Sequence, residues 1–135
     1  MSLTFTLYMK PEPQGSSKAF VIAGKARITS ANARMKPFRS ELTRCALWEM
    51  SDQRVEMFAK HVPVRLDVLF TFRKPESVSN KRVHCVVKPD LDKLVRCVND
   101  ALTGAVWNDD GQVVETTARK VYGPVEGVTV TVSEL

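Results

Sequence analysis

The chain has 135 residues, enough for one domain of ordinary size and too few for a second independent core. Hydrophobic residues make up 44% and charged residues 26%, the balance of a soluble globular protein, which excludes wholesale disorder. No apolar run approaches the ~18 residues that span a bilayer, and Met1–Thr6 lacks a basic start before an apolar core, so neither a membrane span nor a secretory signal is expected, and the expected location is cytoplasmic and nucleoid-associated.

The net charge of +5 is unevenly distributed. Residues 1–89 carry 16 Lys/Arg against 7 Asp/Glu, a net +9, whereas residues 90–135 carry 4 against 8, a net −4. A basic excess over most of a chain suits a polyanionic partner such as nucleic acid, although +5 is also ordinary for a soluble domain. Five acidic residues fall between Asp90 and Asp110. An acidic cluster within a basic surface is what metal-dependent phosphodiester chemistry needs. The cysteines are Cys45, Cys85 and Cys97, an odd number at wide spacing, so a disulfide framework is not expected. Only His84-Cys85 are close together and no C-x-x-C occurs, so buried reduced thiols are expected rather than a zinc site.

Leu3, Phe5, Leu7 and Met9 alternate with polar residues and Tyr8, the pattern of a half-buried strand. The segment Lys10–Lys18, with two prolines and a glycine, breaks it as a loop. Ala19–Ile22 and Ala26–Thr29 flank Gly24 as a short hairpin or arm. From about 36 to 60 there is no glycine, and Phe38, Leu42, Cys45 and Ala46, then Val55 and Phe58–Ala59, follow helical spacing. Pro37 sits where a first helical turn tolerates it. One long helix is expected there, weaker near Ser51-Asp52.

Val64, Leu66, Val68, Phe70 and Phe72 mark the clearest strand. Residues 74–88, rich in Lys, Ser, Pro and Asn, read as a basic contact loop. Asp90–Thr103 is expected to be a helix with an apolar stripe of Leu91, Leu94, Val95, Val98 and Leu102, capped by Asp90 and stopped by Gly104. Gln112–Tyr122 and Gly127–Ser133 are expected strands, joined by a turn at Gly123-Pro124. The expected fold is a single α+β domain over 1–135. It has two layers, with a mixed or antiparallel sheet of about four to five strands and two main helices on one face.

The run Lys88-Pro89-Asp90-Leu91-Asp92-Lys93-Leu94-Val95-Arg96 is the central motif. Magnesium takes oxygen ligands, usually a few carboxylates with waters and substrate phosphate. Residues i and i+2 diverge within a helix or strand. Asp90 and Asp92 therefore converge only if Asp90 lies at or before the helix start, where Pro89 and the apolar stripe place it. Capping and compensation of the helix dipole are the alternative role for both. A third carboxylate must come from Asn108-Asp109-Asp110. If the following strand runs back alongside the helix, its start lies near the far helix end, about 20 Å from Asp90. Asp92, Arg96 and Asp100 fall at i, i+4 and i+8, which reads either as a salt-bridged solvent face or as a cation held beside metal carboxylates. Lys93 is the neighbouring cation.

The run from Lys88 to Val114 closely resembles the RusA family of Holliday-junction resolvases, whose pattern reads roughly KPDxDNLxKxxxDALxG and then W-x-D-D-x-Q-V. The Lys10-Pro11-x-Pro13 loop, the overall length, the closing strands and Lys120 are also similar to that family. The resemblance implies magnesium-dependent endonuclease cleavage of four-way or branched DNA by a homodimer, in recombination and repair. It implies Asp90, Asp92 and Asp110 as catalytic metal ligands, with Asp109 adjacent to them. Many such genes are phage-borne, which allows a phage origin. Two positions depart from the pattern: Lys93 replaces an Asn, and Arg96 replaces a Lys. Arg96 keeps the charge but cannot donate a proton as Lys might, so electrostatic stabilisation by Arg96 or Lys93 is the expected contribution. Lys18, Arg27, Arg34, Lys36, Lys81, Arg82, Lys88 and Lys120 are the expected DNA contacts, each also readable as solvated surface. The alternative is a branched-DNA-binding protein of the same fold with impaired catalysis.

Overall fold

A computed structural model describes residues 1–15, 17–22, 25–30 and 33–135; for 17–22 and 25–30 it describes the backbone. The alternation of apolar residues builds a four-stranded sheet from β1 (Ser2–Leu7), β4 (Val64–Phe72), β5 (Val113–Tyr122) and β6 (Gly127–Glu134), in the order β1-β6-β4-β5. β6 pairs antiparallel with both β1 and β4, whereas β4 and β5 are parallel. The sheet is therefore mixed, and the fold is α+β. Strands β2 (Ser17–Ile22) and β3 (Lys25–Ser30) form a separate antiparallel ribbon, the expected arm. The side chains of Lys18 and Arg27, on this ribbon, lie outside the described residues.

Register explains the core. Leu3 pairs with Val132 and Val132 with Leu66; Phe5 pairs with Val130 and Val130 with Val68. All six side chains are buried, so one sheet face is continuous hydrocarbon across three strands. The opposite face carries Thr4–Thr131 and Thr6–Thr129 hydroxyl pairs at 3.2 and 3.0 Å and is open. Helices α1 (Met35–Gln53) and α2 (Leu91–Leu102) cover the apolar face and pack on each other. Helix α2 buries Leu94, Cys97, Val98, Ala101 and Leu102, while the expected stripe members Leu91 and Val95 are only half-buried. Among the described residues, no helix is long and apolar enough to cross a membrane.

The long helix expected to about residue 60 ends at Gln53. Arg54 adopts a left-handed conformation (φ 57°), and the Arg54 and Val55 N–H groups donate back to Met50 and Ser51 carbonyls. That geometry terminates a helix. Phe58 is buried because the extended chain bridges to Trp107, not because the helix continues. Trp107 is fully buried, and its indole N–H donates to Thr103 Oγ1 at 3.0 Å. Strands β5 and β6, although joined by a short turn, are not neighbours, because β4 lies between them. The thiols are free, with Cys85 and Cys97 buried and Cys45 half-buried. Burial pushes the Cys97 thiol up to about 12, which keeps it protonated and a poor metal ligand.

One buried polar side chain fixes the entry to β5. Gln112 is 6% exposed and uses its whole amide. Its Nε2 donates to the Ala59 and Val62 carbonyls at 2.8 and 3.2 Å, and its Oε1 accepts the Asn108 and Asp109 N–H groups, both at 2.9 Å. The Asn108–Asp110 turn is thus tied to the 59–62 turn. Gln112→Leu removes all four of these hydrogen bonds from a buried position, although the Ala59 carbonyl keeps the Val62 N–H at 3.0 Å, so a loss of about 1–3 kcal/mol is expected, read as a lower thermal midpoint. An unchanged midpoint would show that the clamp contributes nothing.

Candidate active site

The parallel pairing of β4 and β5 sets the geometry. Helix α2 is the crossover between them and runs back against the strand direction. Its first residues lie at the strands' C-terminal end, and the Asp109–Asp110 turn lies at the start of β5. The two acidic parts of the motif therefore stand at opposite ends of α2.

A groove of about 710 Å³ runs between them, lined by Asp92, Val95, Arg96, Asn99, Asp100, Asp110, Gly111, Val113 and Thr116. From Asp92 to Asp100 it follows about 12 Å of helix. Asp92, Arg96 and Asp100 are exposed on its wall, and none makes a hydrogen bond or ion pair among the described residues. The salt-bridged face allowed by their spacing is thus not formed. The structure brings Asp92, Arg96 and Asp110 to one groove.

Asp90 is not on the wall of that groove. It occupies the N-cap position with extended backbone (φ −69°, ψ 136°), yet its side chain makes no capping bond. It instead accepts from Lys88 Nζ at 2.7 Å and lies 3.7 Å from Lys93 Nζ. The Lys88 hydrogen bond first, then the charges of Lys88 and Lys93, hold its carboxyl below the usual range. Asp90 is fully ionised at neutral pH and neutralised from both sides. The peptide before it, Lys88-Pro89, is cis. Lys120, half-buried on β5, donates to the Val87 and Pro89 carbonyls at 2.8 and 2.9 Å. Its ammonium thus anchors the turn that carries Asp90.

At the other end, Asp109 accepts the Gly111 N–H at 3.1 Å and starts a single 3₁₀ turn, Asp110–Gln112. That N–H first, then a hydrogen bond with Asp110 and the nearby Lys60 and His61 side chains, lower its carboxyl below the usual range. Lys60, His61, Asp109, Gly111 and Gln112 line a second, smaller cavity of about 330 Å³ behind the turn.

Among the described residues, no three carboxylate, thiol or imidazole groups converge as a closed metal cage. The donor set still fits magnesium, which binds through one or two carboxylates and keeps several waters. Arg34 and Lys36 stand exposed at the start of α1, and Lys81 and Arg82 are exposed in the 73–90 loop. The roles of Gln112 and of Lys120 as clamps were not legible in the sequence. A lone Gln in a polar turn and a lysine in a strand signal no direction.

The family model described as endodeoxyribonuclease RusA matches residues 9–133. The uncharacterised protein YqaN of Bacillus subtilis (strain 168) is 30% identical over 143 aligned residues, covering 98% of this chain and 96% of that protein. With nearly its whole length matched, from the loop after β1 to the end of β6, the chain belongs to the RusA endodeoxyribonuclease family.

Proposed function

We propose that the protein is a magnesium-dependent endonuclease that resolves four-way DNA junctions by paired, symmetric phosphodiester cleavage in recombination and repair. The observation that carries this reading is the groove along α2, which Asp92, Arg96, Asp100 and Asp110 line together and where Arg96 has no ion-pair partner among the described residues. Unpaired charges at the mouth of a groove contribute little to stability. They suit a ligand that brings its own charges.

In this reading Asp92 and Asp110 each offer a carboxylate to magnesium from their own end of the groove, with Asp90 beside the first and Asp109 beside the second. When bound, the ion supplies a polarised phosphoryl oxygen and an activated water. The chain's own groups do the rest. Arg96 faces the groove and offsets charge that develops on the phosphoryl oxygens. A guanidinium does not serve as a proton donor, so in this reading the proton for the leaving 3′ oxygen comes from solvent. Lys88 and Lys93 keep Asp90 ionised, and a phosphate arriving beside it competes for both ammonium groups. Lys120 keeps the Pro89 turn at a fixed height above β5, and Gln112 does the same for Asp109–Asp110. Lys18, Arg27, Arg34, Lys36, Lys81 and Arg82 follow the DNA backbone, which makes binding fall with salt. A homodimer gives the junction two sites related by a two-fold axis, as symmetric cuts require. The place of action is the nucleoid.

The alternative of a branched-DNA-binding protein with impaired catalysis draws on a different observation, namely that Asp90 is tied to Lys88 and Lys93 and lies outside the groove.

Cleavage of a labelled four-way junction in Mg²⁺, beside a linear duplex, separates the two. Paired nicks are expected from the wild type. Asp92→Asn is expected to slow them on the order of 100-fold or more with junction binding retained. Tight junction binding without cleavage in Mg²⁺ or Mn²⁺ would leave only the binding protein. Lys120→Ala is expected to lower the cleavage rate roughly tenfold while changing junction affinity and its salt dependence little. A drop in affinity with a salt slope reduced by about one would instead make Lys120 a phosphate contact.

A further inference from the structure

The outward face of α1 takes no part in the core or the groove. Leu47 and Trp48 are 50% and 64% exposed there, and an indole left in water contributes nothing to the folded monomer. Glu41, Arg44, Trp48 and Asp52 follow one another at helical spacing, so they share one strip of that face. Arg44 and Asp52 stand four residues before and after Trp48, about 6 Å of helix each way. Arg44 reaches Glu41 at 3.5 Å with its side chain 81% exposed, a pair of little worth. Asp52 is exposed and makes no ion pair among the described residues.

The charges of α1 also run the wrong way for a helix on its own. Lys36, Arg39 and Arg44 lie in its first half with Glu41, and Glu49 and Asp52 lie in its second half. No acid stands in the first turn and no base in the last; the next cation, Arg54, is already the C-cap. The helix macrodipole favours the opposite order. A second α1 lying antiparallel reverses that order, so that each basic half faces an acidic half and the two dipoles oppose. A two-fold axis through Trp48 achieves this in one step, because an isologous contact sets residue i against j and j against i. Trp48 then meets the partner's Trp48, and Arg44 meets the partner's Asp52 twice over.

From this we infer that the outward strip of α1, centred on Trp48 and flanked by Arg44 and Asp52, is the surface on which a second copy of this chain docks. The inference rests on the two-fold reading proposed above for the existence of a second copy, and on α1 alone for its place. Trp48 is the anchor, since large aromatic side chains near the centre of an interface carry most of its energy. The Arg44–Asp52 contacts set the antiparallel register, because the same charges in a parallel pair would face their own kind.

The test is a charge-swap measurement on the whole chain by sedimentation equilibrium. The wild type is expected to dimerise. Its two tryptophans are Trp48 and Trp107, and Trp107 is buried, so a red shift of emission on dilution is expected to report Trp48 returning to water. Trp48→Ala is expected to weaken the dimer on the order of 100-fold. Arg44→Glu and Asp52→Arg each set like charges across the axis, and each alone is expected to weaken it roughly tenfold or more. Mixed together, these two chains carry opposite charges at both contacts, so a mixed dimer close to the wild type in affinity is expected. Helicity by circular dichroism is expected to hold in all variants, because the three side chains are exposed. Single variants as dimeric as the wild type, or a mixture that recovers nothing, would overturn the α1 surface and leave the two-fold reading standing. A Trp48→Ala protein that stays dimeric and loses junction affinity would give this face to DNA instead. A wild type that stays monomeric at every concentration overturns the surface together with the two-fold reading, and leaves the cleavage chemistry to the junction assay.

Discussion

The parallel pairing of β4 with β5 is the constraint on which the site depends. Residues Arg65–Phe72 of β4 run in continuous register with Glu115–Tyr122. Parallel neighbours cannot be joined by a tight turn, so the chain must cross over the sheet, and α2 is that crossover. A crossover helix returns against the strands. Asp90 and Asp92 therefore stand near the end where β4 finishes, and Asp109–Asp110 stand where β5 begins. The acidic groups are spread along the helix instead of gathered at one tip. A groove that follows about two turns of helix can meet a length of phosphate backbone as well as a single phosphate.

The sheet changes character at its last strand. The rows Leu3–Val132–Leu66, Phe5–Val130–Val68 and Leu7–Val128–Phe70 are apolar, and they continue onto β5 as Thr116, Ala118 and Lys120. The face that forms the core on three strands thus presents a hydroxyl and an ammonium on the fourth. Thr116 lines the groove, and Lys120 reaches the Pro89 turn. Helix α2 straddles this boundary. Its buried side rests on hydrocarbon, and its Asp92–Arg96–Asp100 side overhangs the polar edge. Helix stability comes from the buried side, since isolated charge pairs on a helix surface are worth only ~0.2–0.5 kcal/mol. The outward charges are free to be chosen for another purpose.

Much of this was legible in residue patterns. Period-two alternation marks β1, β4 and β6, and the apolar stripe with Gly104 behind it bounds α2, where Gly104 takes φ 88°. What alternation does not carry is partnership. A strand with one buried face reads the same whether its neighbour is parallel or antiparallel, so the placement of β4 between β5 and β6 was not visible. The end of α1 was also hidden. Val55 and Phe58 keep helical spacing, but the left-handed turn at Arg54 sits on a residue type that gives no warning of it. The acidic and basic site residues were legible as charges. Their engagements were not: Asp90 takes the expected cap position but pairs with Lys88 and Lys93, and Lys120 donates to two backbone carbonyls.

The two clamps share a logic that accounts for the exposed acids. Gln112 and Lys120 both act on backbone groups, one at each end of β5, and neither bonds to a carboxylate. The eight-residue step along β5 from one to the other is a stiff spacer of roughly 26 Å. These anchors fix where each turn sits through backbone groups, while Asp90 and Asp109 carry bonds of their own to Lys88 and to the Gly111 N–H. Had Asp92 or Asp110 been held in place by an internal arginine or lysine, its position would have been as well defined, but its charge would already be answered. Separating the means of positioning from the groups being positioned leaves Asp92, Arg96 and Asp100 without ion-pair partners among the described residues. That combination, order without neutralisation, is the property a metal- and phosphate-binding surface requires.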